Sequence, residues 1–289
     1  IENTNYYLEF KKKKTVLTIF EKRVNKKDLP FFMKLMYGLS KLKIICPSPI
    51  KNKKGSYLFK IRNKSACLVT FLKGEDKKKL NPSDCRQIGK NIAELHRATK
   101  KLKLNRKNSL SINLLIKVLN KIDNRINKLS KNLKTKMKSD LKELSENWPK
   151  NLPNGIIHSD LFIDNIFFYK NKFYGFIDFY FSSTDFYAYE LATCINALCF
   201  DKINNKFILN KRKSYNLLKG YETKRKLTIN EKNNFNTLCK GSALRYLVTR
   251  SYDYLNTPKN AIIKKKNPRE YLDKLIFHKK LSNFVEYLR

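Results

Sequence analysis

Residues 156–190, IIHSDLFIDNIFFYKNKFYGFIDFYFSSTDFYAYE, constrain this chain more than any other stretch. The apolar pair Ile156-Ile157 runs into His158-Ser159-Asp160, and Asn165 follows five positions after Asp160. Apolar runs at 166–169 and 173–177 flank Lys170-Asn171-Lys172, a composition that favours a tight reversal. The second run ends in Asp178-Phe179. A hairpin folds the end of its second strand back beside the loop before its first, so Asp160, Asn165 and Asp178 are expected to meet.

Those residue types at that spacing suit one chemistry. Moving a γ-phosphoryl group to an alcohol needs a carboxylate to orient the hydroxyl and take its proton, and oxygen ligands for Mg²⁺ on the phosphates. Asp160 suits the first role; Asn165 and Asp178 suit the second. His158 reads as a structural prop of the loop rather than as an acid or base. The plainer alternative is that Asp160 and Asn165 cap a turn and Asp178 ends a strand. A bare His-x-Asp-x4-Asn carries little weight, but the apolar strand before it and the hairpin with Asp-Phe after it favour phosphoryl transfer.

With 289 residues, 42% of them apolar, the chain can bury a sizeable core in one or two domains. No apolar run approaches the ~18 residues of a membrane span. The opening IENTNYYLEF is no signal peptide, and lacking an initiator Met it reads as a truncated or trimmed start. Six cysteines (46, 67, 85, 194, 199, 239) lie in apolar segments without C-x-x-C, and the three histidines are far apart, so buried free thiols in a reducing cytoplasm are expected rather than zinc. The net charge of +39 invites a nucleic-acid reading. Yet the excess is Lys rather than Arg, is scattered over every segment, and travels with Asn, Ile, Tyr and Phe, amino acids with A/T-rich codons. Genome composition explains it economically, although the positive field would still steer an anionic nucleotide.

The order of elements reads as two lobes. Residues 1–73 form a small β-rich lobe: strands at 6–10 and 15–20, a helix at 29–42 with Phe32, Leu35, Met36 and Leu39 on one face, then strands at 56–61 and 66–71. Residues 74–80 form a linker, with Phe71-Leu72-Lys73-Gly74 as a hinge whose backbone can face an adenine edge. Residues 81–289 are mainly helical, with helices expected at 82–99, 112–129, 135–148, 188–198, 206–221, 234–255 and 268–288. The fold class is α+β.

Phrases along the whole chain carry a specific resemblance: IENTNYYL, VLTIFEK, DLPFFMKLM, LVTFLKG, DCRQIGKNIAELH, LPNGIIHSDLFIDNIFF, GFIDFYF, ALRYLVTRSYDYL and NPREYLDKLIFH. The chain resembles the bacterial homoserine kinases of the aminoglycoside-phosphotransferase-like, protein-kinase-like superfamily. That resemblance implies a two-lobed kinase fold and transfer of the ATP γ-phosphate, with Mg²⁺, to the hydroxyl of L-homoserine, giving O-phospho-L-homoserine, a threonine precursor. It implies Asp160 as catalytic base and Asn165 and Asp178 as metal ligands, with Asn3, Thr4, Asn5 and Phe71 as candidate nucleotide contacts. Three departures stand out. Residues ahead of IENTNY in the family are missing. Thr18 stands where many superfamily members carry a phosphate-contacting Lys or Arg, with Lys22 or Arg23 as candidate substitutes or solvated strand ends. Glu190 stands where Asp is common, and either carboxylate can hydrogen-bond the catalytic loop.

Homoserine needs a cation for its carboxylate and an acid or carbonyls for its ammonium. Arg245 and Arg250 are candidates for the first, one meeting substrate and the other pairing structurally. Asp185 is a candidate for the ammonium, or an N-cap for the next helix. Tyr180, Phe181 and Asn196 are candidate pocket walls. Competing readings are a choline or aminoglycoside kinase on the same fold, a nucleic-acid-binding protein, or an inactive scaffold; the Asp160-Asn165-Asp178 set argues against the last. The lysine scatter yields a test: nucleic-acid binding, measured by salt titration, is expected to be weak and lost at moderate salt. A sequence-preferring complex that survives physiological salt would contradict the compositional explanation.

Overall fold

Two consecutive lysines, Lys11 and Lys12, take left-handed φ values of 46° and 64° and turn the chain from β1 (Asn3–Phe10) into β2 (Lys13–Phe20). The structure is a computed structural model that describes residues 3–21, 24–258 and 265–288. After β2 come α1 (Leu29–Lys41), β3 (Pro49–Ile50), β4 (Leu58–Ile61) and β5 (Lys64–Thr70). The sheet order is β1-β2-β5-β3, with β4 also paired to β5, and every pairing is antiparallel. Pro30 sits in the first turn of α1, where its missing N–H costs nothing. The helix buries Phe32, Leu35, Met36 and Leu39, the stripe expected from the sequence, together with Leu29 and Met33.

The segment leaving this lobe is pinned rather than loose. Gly74 has φ +95° and no room for a side chain, since a Cβ would stand 2.4 Å from the carbonyl oxygen of Phe168. Glu75 exchanges two backbone hydrogen bonds with Phe168, at 3.0 and 2.8 Å. The second lobe then opens with α2 (Pro82–Thr99), capped by a reciprocal Asn81–Asp84 box.

Next come α3 (Ile112–Asn120), α4 (Leu133–Glu146), β6 (Asn154–Ile157), β7 (Ile166–Tyr169), β8 (Lys172–Phe176), β9 (Ser183–Phe186) and α5 (Tyr187–Leu198). They are followed by β10 (Phe200–Ile203), β11 (Lys206–Leu209), α6 (Lys211–Glu222), α7 (Ile229–Asn233), α8 (Phe235–Asn256) and α9 (Arg269–Lys279). One core runs from the sheet and α1 through α2 to α5 and α6; a second lies among α3, α4, α8 and α9. α5 is buried on nearly every side. All six cysteines are free and buried. Among the described residues, no helix is long and apolar enough to cross a membrane.

Three expectations are corrected. The helix expected over 112–129 stops at Asn120; Asp123 accepts a hydrogen bond from Arg125 N–H at 2.7 Å and starts a separate 3-10 turn, although Ile122 and Ile126 keep their place in the core. The helix expected over 206–221 begins only at Lys211. Asn204 and Asn205, at φ 47° and 61°, make the turn of the β10–β11 hairpin, and Asn210 caps α6. The helix expected over 268–288 ends at Lys279, and Asn283 caps a 3-10 turn at Phe284–Tyr287.

α2 and α6 touch along glycines. A Cβ on Gly89 would stand 1.9 Å from the carbonyl oxygen of Leu217, and one on Gly220 would stand 2.1 Å from that of Arg86. Gly89→Ala is therefore expected to destabilise by about 1–3 kcal/mol or more despite alanine's better helix propensity. Gly38→Ala, whose Cβ would meet only the mobile end of Leu102, serves as the mild comparison. Urea midpoints of the two variants check the difference.

Candidate active site

Ile156 and Ile157 of β6 are buried, and β6 pairs with β9 in the register Ile157↔Ser183. That pairing launches the loop His158–Asp160 from a fixed point. Ser159 takes φ 70°. Its N–H donates to Glu190 Oε1 at 2.7 Å, and the His158 N–H donates to Glu190 Oε2 at 2.8 Å. The Ser159 carbonyl accepts from Arg245 Nη1 at 3.0 Å and from the Tyr246 hydroxyl at 3.2 Å. The same hydroxyl reaches Asp160 Oδ1 at 3.2 Å. Both backbone faces of the loop are thus satisfied by α5 and α8.

The β7–β8 hairpin closes as its sequence predicts, with Lys170 and Asn171 in the left-handed region. It returns Ile177, whose N–H donates to the Asn165 carbonyl at 3.1 Å. Asn165 Nδ2 donates to the Asp160 carbonyl at 2.8 Å, which leaves its Oδ1 as an acceptor. His158 Nε2–H donates to the Ile177 carbonyl at 2.8 Å, and its ring packs 4.6 Å from that of Phe179. The imidazole therefore ties the Asp160 loop to the Asp178 turn. Asp178 itself holds φ 61°, ψ 62°. Asp160, Asn165 and Asp178 line one cavity of about 200 Å³ with Phe162, Phe181, Arg245, Tyr246, Thr249, Arg250 and Asp253 among its other walls.

Burial raises the Asp160 carboxyl above the ordinary value, against the opposing pull of the Arg245 charge and the Tyr246 hydrogen bond. A carboxylate shifted this way accepts a proton more readily than one at the ordinary value. His158 is lowered, chiefly by burial, and stays neutral. For Glu190, burial works toward protonation, but the hydrogen bonds it accepts from His96 and from the His158 backbone outweigh it and its pKa falls. His96 is lowered by its own burial, so neutral imidazole donates from Nε2 to Glu190 at 3.1 Å while Nδ1 accepts from Tyr221 at 2.9 Å.

The other expected residues separate. Arg245 is buried against Ser159 and the Tyr246 ring, 4.8 Å away. Arg250 donates from Nη1 to Glu270 at 2.6 Å and lies 4.4 Å over the Tyr271 ring, still facing the cavity. Asp185 is displaced from its expected place: one oxygen accepts from Asn108 Nδ2 at 2.6 Å and the other from Phe186 N–H at 2.7 Å, and it lines a different cleft beside Trp148. Asn196 is likewise no cavity wall; it is buried, bonded to the Cys239 carbonyl at 3.0 Å and to His278 Nε2 at 2.9 Å. Tyr180 points into the small lobe, where it packs on Phe20 and Phe32 and shares a 3.5 Å hydrogen bond with Cys67. Phe181 does line the cavity.

In the sheet, the buried Thr18 hydroxyl donates to Asn5 Oδ1 at 2.8 Å and Thr4 donates to Glu21 at 3.2 Å. Asn3 Oδ1 is buried with no hydrogen-bond partner among the described residues. Phe71 is half exposed, edge-on to Tyr7 at 5.4 Å. Lys22 and Arg23 lie outside the described residues.

Three contributors escaped the sequence reading. Tyr246 and Asp253 lie inside the quoted phrase ALRYLVTRSYDYL, and helical spacing from Arg250 marks their face. Arg106 donates from Nε to Asp28 at 2.8 Å and from Nη1 to the Ser182 carbonyl at 2.9 Å, yet in KLKLNRKNSL nothing sets it apart.

Residues 1–225 match the phosphotransferase enzyme family, and the chain belongs to it. A solved amicoumacin kinase, in complex with AMP-PNP, Ca²⁺ and amicoumacin, superposes with a TM-score of 0.73 at 15% identity, covering 96% of this chain and 85% of that one. Choline kinase LicA from Streptococcus pneumoniae gives 0.62 at 15%, over 96% and 88%. At such identities the likeness speaks for the kinase-like fold alone. Within the family the chain stands among the homoserine kinases. It is 40% identical over 287 residues to those of Sinorhizobium fredii and Agrobacterium fabrum, covering 99% of this chain and 87% and 88% of theirs.

The three histidines give the fold a pH signature. His96 and His158 are lowered, and His278 is pushed down to about 3 by burial. Below the ordinary value of 6.5 the unfolded chain takes up these protons and the folded chain does not. Stability is therefore lost as pH falls, by up to about 1.4 kcal/mol per histidine per pH unit. Glu190, lowered below 4.5, adds to the loss in the same direction at more acidic pH. Urea midpoints at pH 7.5 and 5.5 check this; equal midpoints would contradict it.

Proposed function

We infer that this protein transfers the γ-phosphoryl group of ATP to the side-chain hydroxyl of L-homoserine, with Asp160 as the catalytic carboxylate. The observation that carries the reading is the convergence of Asp160, Asn165 and Asp178 on one small cavity, in a chain 40% identical to homoserine kinases. Six buried, unpaired thiols suit a reducing compartment such as the cytoplasm.

The donor set fits Mg²⁺. Asp178 supplies a carboxylate and Asn165 an amide oxygen, and both face the cavity. Among the described residues no group of three or more His, Cys, Asp or Glu could hold a metal. Mg²⁺ keeps several of its waters and binds through one or two protein oxygens plus substrate phosphates. Bound there, the ion would neutralise phosphate charge. Asp160 accepts the hydrogen bond of the substrate hydroxyl, aims its oxygen at the phosphorus and takes its proton as the bond forms. Tyr246 holds the carboxylate in that orientation, and Arg245 fixes the backbone beneath it. Arg250 is the residue we assign to the substrate carboxylate, and Arg245 the structural one: both line the cavity, but Arg245 is buried with its Nη1 on the Ser159 carbonyl, while Arg250 is the more exposed of the two.

Release of ADP from ATP is expected with L-homoserine in strong preference to L-serine, choline and aminoglycosides. Serine is one methylene shorter, and an acceptor misplaced by about 1 Å can lose about a hundredfold in rate. Preference for choline or an aminoglycoside would overturn the substrate. Asp160→Asn should lower kcat by orders of magnitude with Mg²⁺-ATP affinity nearly intact, whereas Asp178→Ala should abolish Mg²⁺-dependent nucleotide binding in calorimetry. Unchanged turnover in the first variant, or unchanged affinity in the second, would remove that residue from its role.

A further inference from the structure

The cavity beside Asp160 carries both signs of charge along one face of α8. Tyr246, Thr249, Arg250 and Asp253 all line it. Residues three and four apart on a helix are neighbours, so Arg250 and Asp253 stand side by side. Tyr246, bonded to Asp160, marks the reacting end. At 1.5 Å of rise per residue, Arg250 lies about 6 Å and Asp253 about 10 Å farther along the helix.

We propose that Asp253 receives the α-ammonium group of the substrate while Arg250 holds its α-carboxylate, so that the pair selects a free α-amino acid. This rests on the homoserine reading above. The two charges of an amino acid sit on one carbon, so their receivers must be neighbours. In homoserine that carbon is separated from the hydroxyl by two methylenes, so the head group must lie beyond Asp160, where these side chains are. Arg250 is prepared for its part. Its Nη1 is held by Glu270 and its plane by Tyr271, and a guanidinium has five N–H donors, so one edge remains for a carboxylate. A carboxylate offers about four lone-pair positions, so an ammonium can join whatever Asp253 already contacts.

The two other acids considered fit less well. Asp185 has both oxygens bonded and lines another cleft. Asp164 lines this cavity but adjoins Asn165, at the metal end, where the hydroxyl and not the head group must lie.

Three alcohols separate the charges: L-homoserine, 4-hydroxybutyrate without the ammonium, and 3-aminopropan-1-ol without the carboxylate. Each is assayed by ADP release with wild type, Asp253→Asn, Asp253→Glu, Arg250→Ala and Asp164→Asn, and L-homoserine binding is measured by calorimetry without nucleotide. Asp253→Asn is expected to lower kcat/KM for L-homoserine about thirtyfold or more, mainly through KM, as loss of one partner of a desolvated charge pair does. Binding in calorimetry should fall in parallel, while 4-hydroxybutyrate should change by less than about threefold because the coupling is absent. Arg250→Ala should spare 3-aminopropan-1-ol in the same way. Asp253→Glu, which keeps the charge, should keep the preference for ammonium-bearing substrates, and it stands in if Asp253→Asn does not fold. Equal losses on all three alcohols, or a selective loss in Asp164→Asn instead, would overturn the assignment. If wild type does not phosphorylate L-homoserine, the substrate reading falls as well. If it does and Asp253→Asn shows no selective loss, only the role of Asp253 falls.

Discussion

Glu190 is a carboxylate with no exposure to solvent, and it collects the N–H groups of His158 and Ser159 together with His96 Nε2–H. A buried anion is tolerable only when its lone pairs are filled, and here two of the three donors belong to the loop that carries Asp160. The dependence runs both ways. Ser159 sits at φ 70°, a conformation a residue with a side chain keeps only where its surroundings insist. Glu190 supplies that insistence from one side of the backbone, and Arg245 and Tyr246 supply it from the other through the Ser159 carbonyl. Lengthening Asp to Glu at this position changes reach but not the acceptor geometry.

Asp160 is itself buried, so the charge of Arg245 matters as well as its hydrogen bond to the loop. Its guanidinium lowers the Asp160 carboxyl while burial raises it. His96 and His158 stay neutral and contribute dipoles and donors, which a protonated imidazole in the same place could not do without its own desolvation cost. The outcome is one carboxylate held structural and ionised, and a second displaced toward the working range, a few residues from each other in space. That separation of roles by environment is how two similar groups serve different functions in one site.

Much of this was legible from the chain. The strand, loop and hairpin around Asp160 were readable because Lys170-Asn171-Lys172 is a polar break whose Asn tolerates a left-handed turn, and the apolar runs on either side have strand length. α1 and α2 were readable from one-sided apolar spacing. What failed did so for physical reasons. Asp185 and Asn196 carry polar groups in apolar surroundings, and such groups look alike in sequence whether they face a ligand or satisfy a neighbour; here Asn108 and His278 satisfy them. The helix expected over 206–221 overlaps β11 at Lys206–Leu209 because lysine and asparagine, abundant everywhere in this chain, mask the Asn204-Asn205 turn. The side chains of α8 that line the cavity could be placed on one face, but which face met the loop depends on tertiary packing.

Arg106 shows the same limit and supplies the last structural constraint. In a chain with 63 lysines and arginines, one more cation in a loop carries no signal. Yet its planar fork reaches in two directions at once: Nε to Asp28, just ahead of α1, and Nη1 to the Ser182 carbonyl, four residues past Asp178. Its guanidinium also lies 5.0 Å over the Phe32 ring of α1. A lysine is a point charge and cannot hold both partners in one plane. This side chain therefore ties the small lobe to the large one, alongside the backbone bonds between Glu75 and Phe168 and the Tyr180 contacts with Phe20, Phe32 and Cys67. Arg106 thereby links the entry of α1 to the segment that follows the candidate metal ligand Asp178. The elements on either side of the cavity that Asp160, Asn165 and Asp178 line are thus bound to each other through a side chain as well as through the backbone.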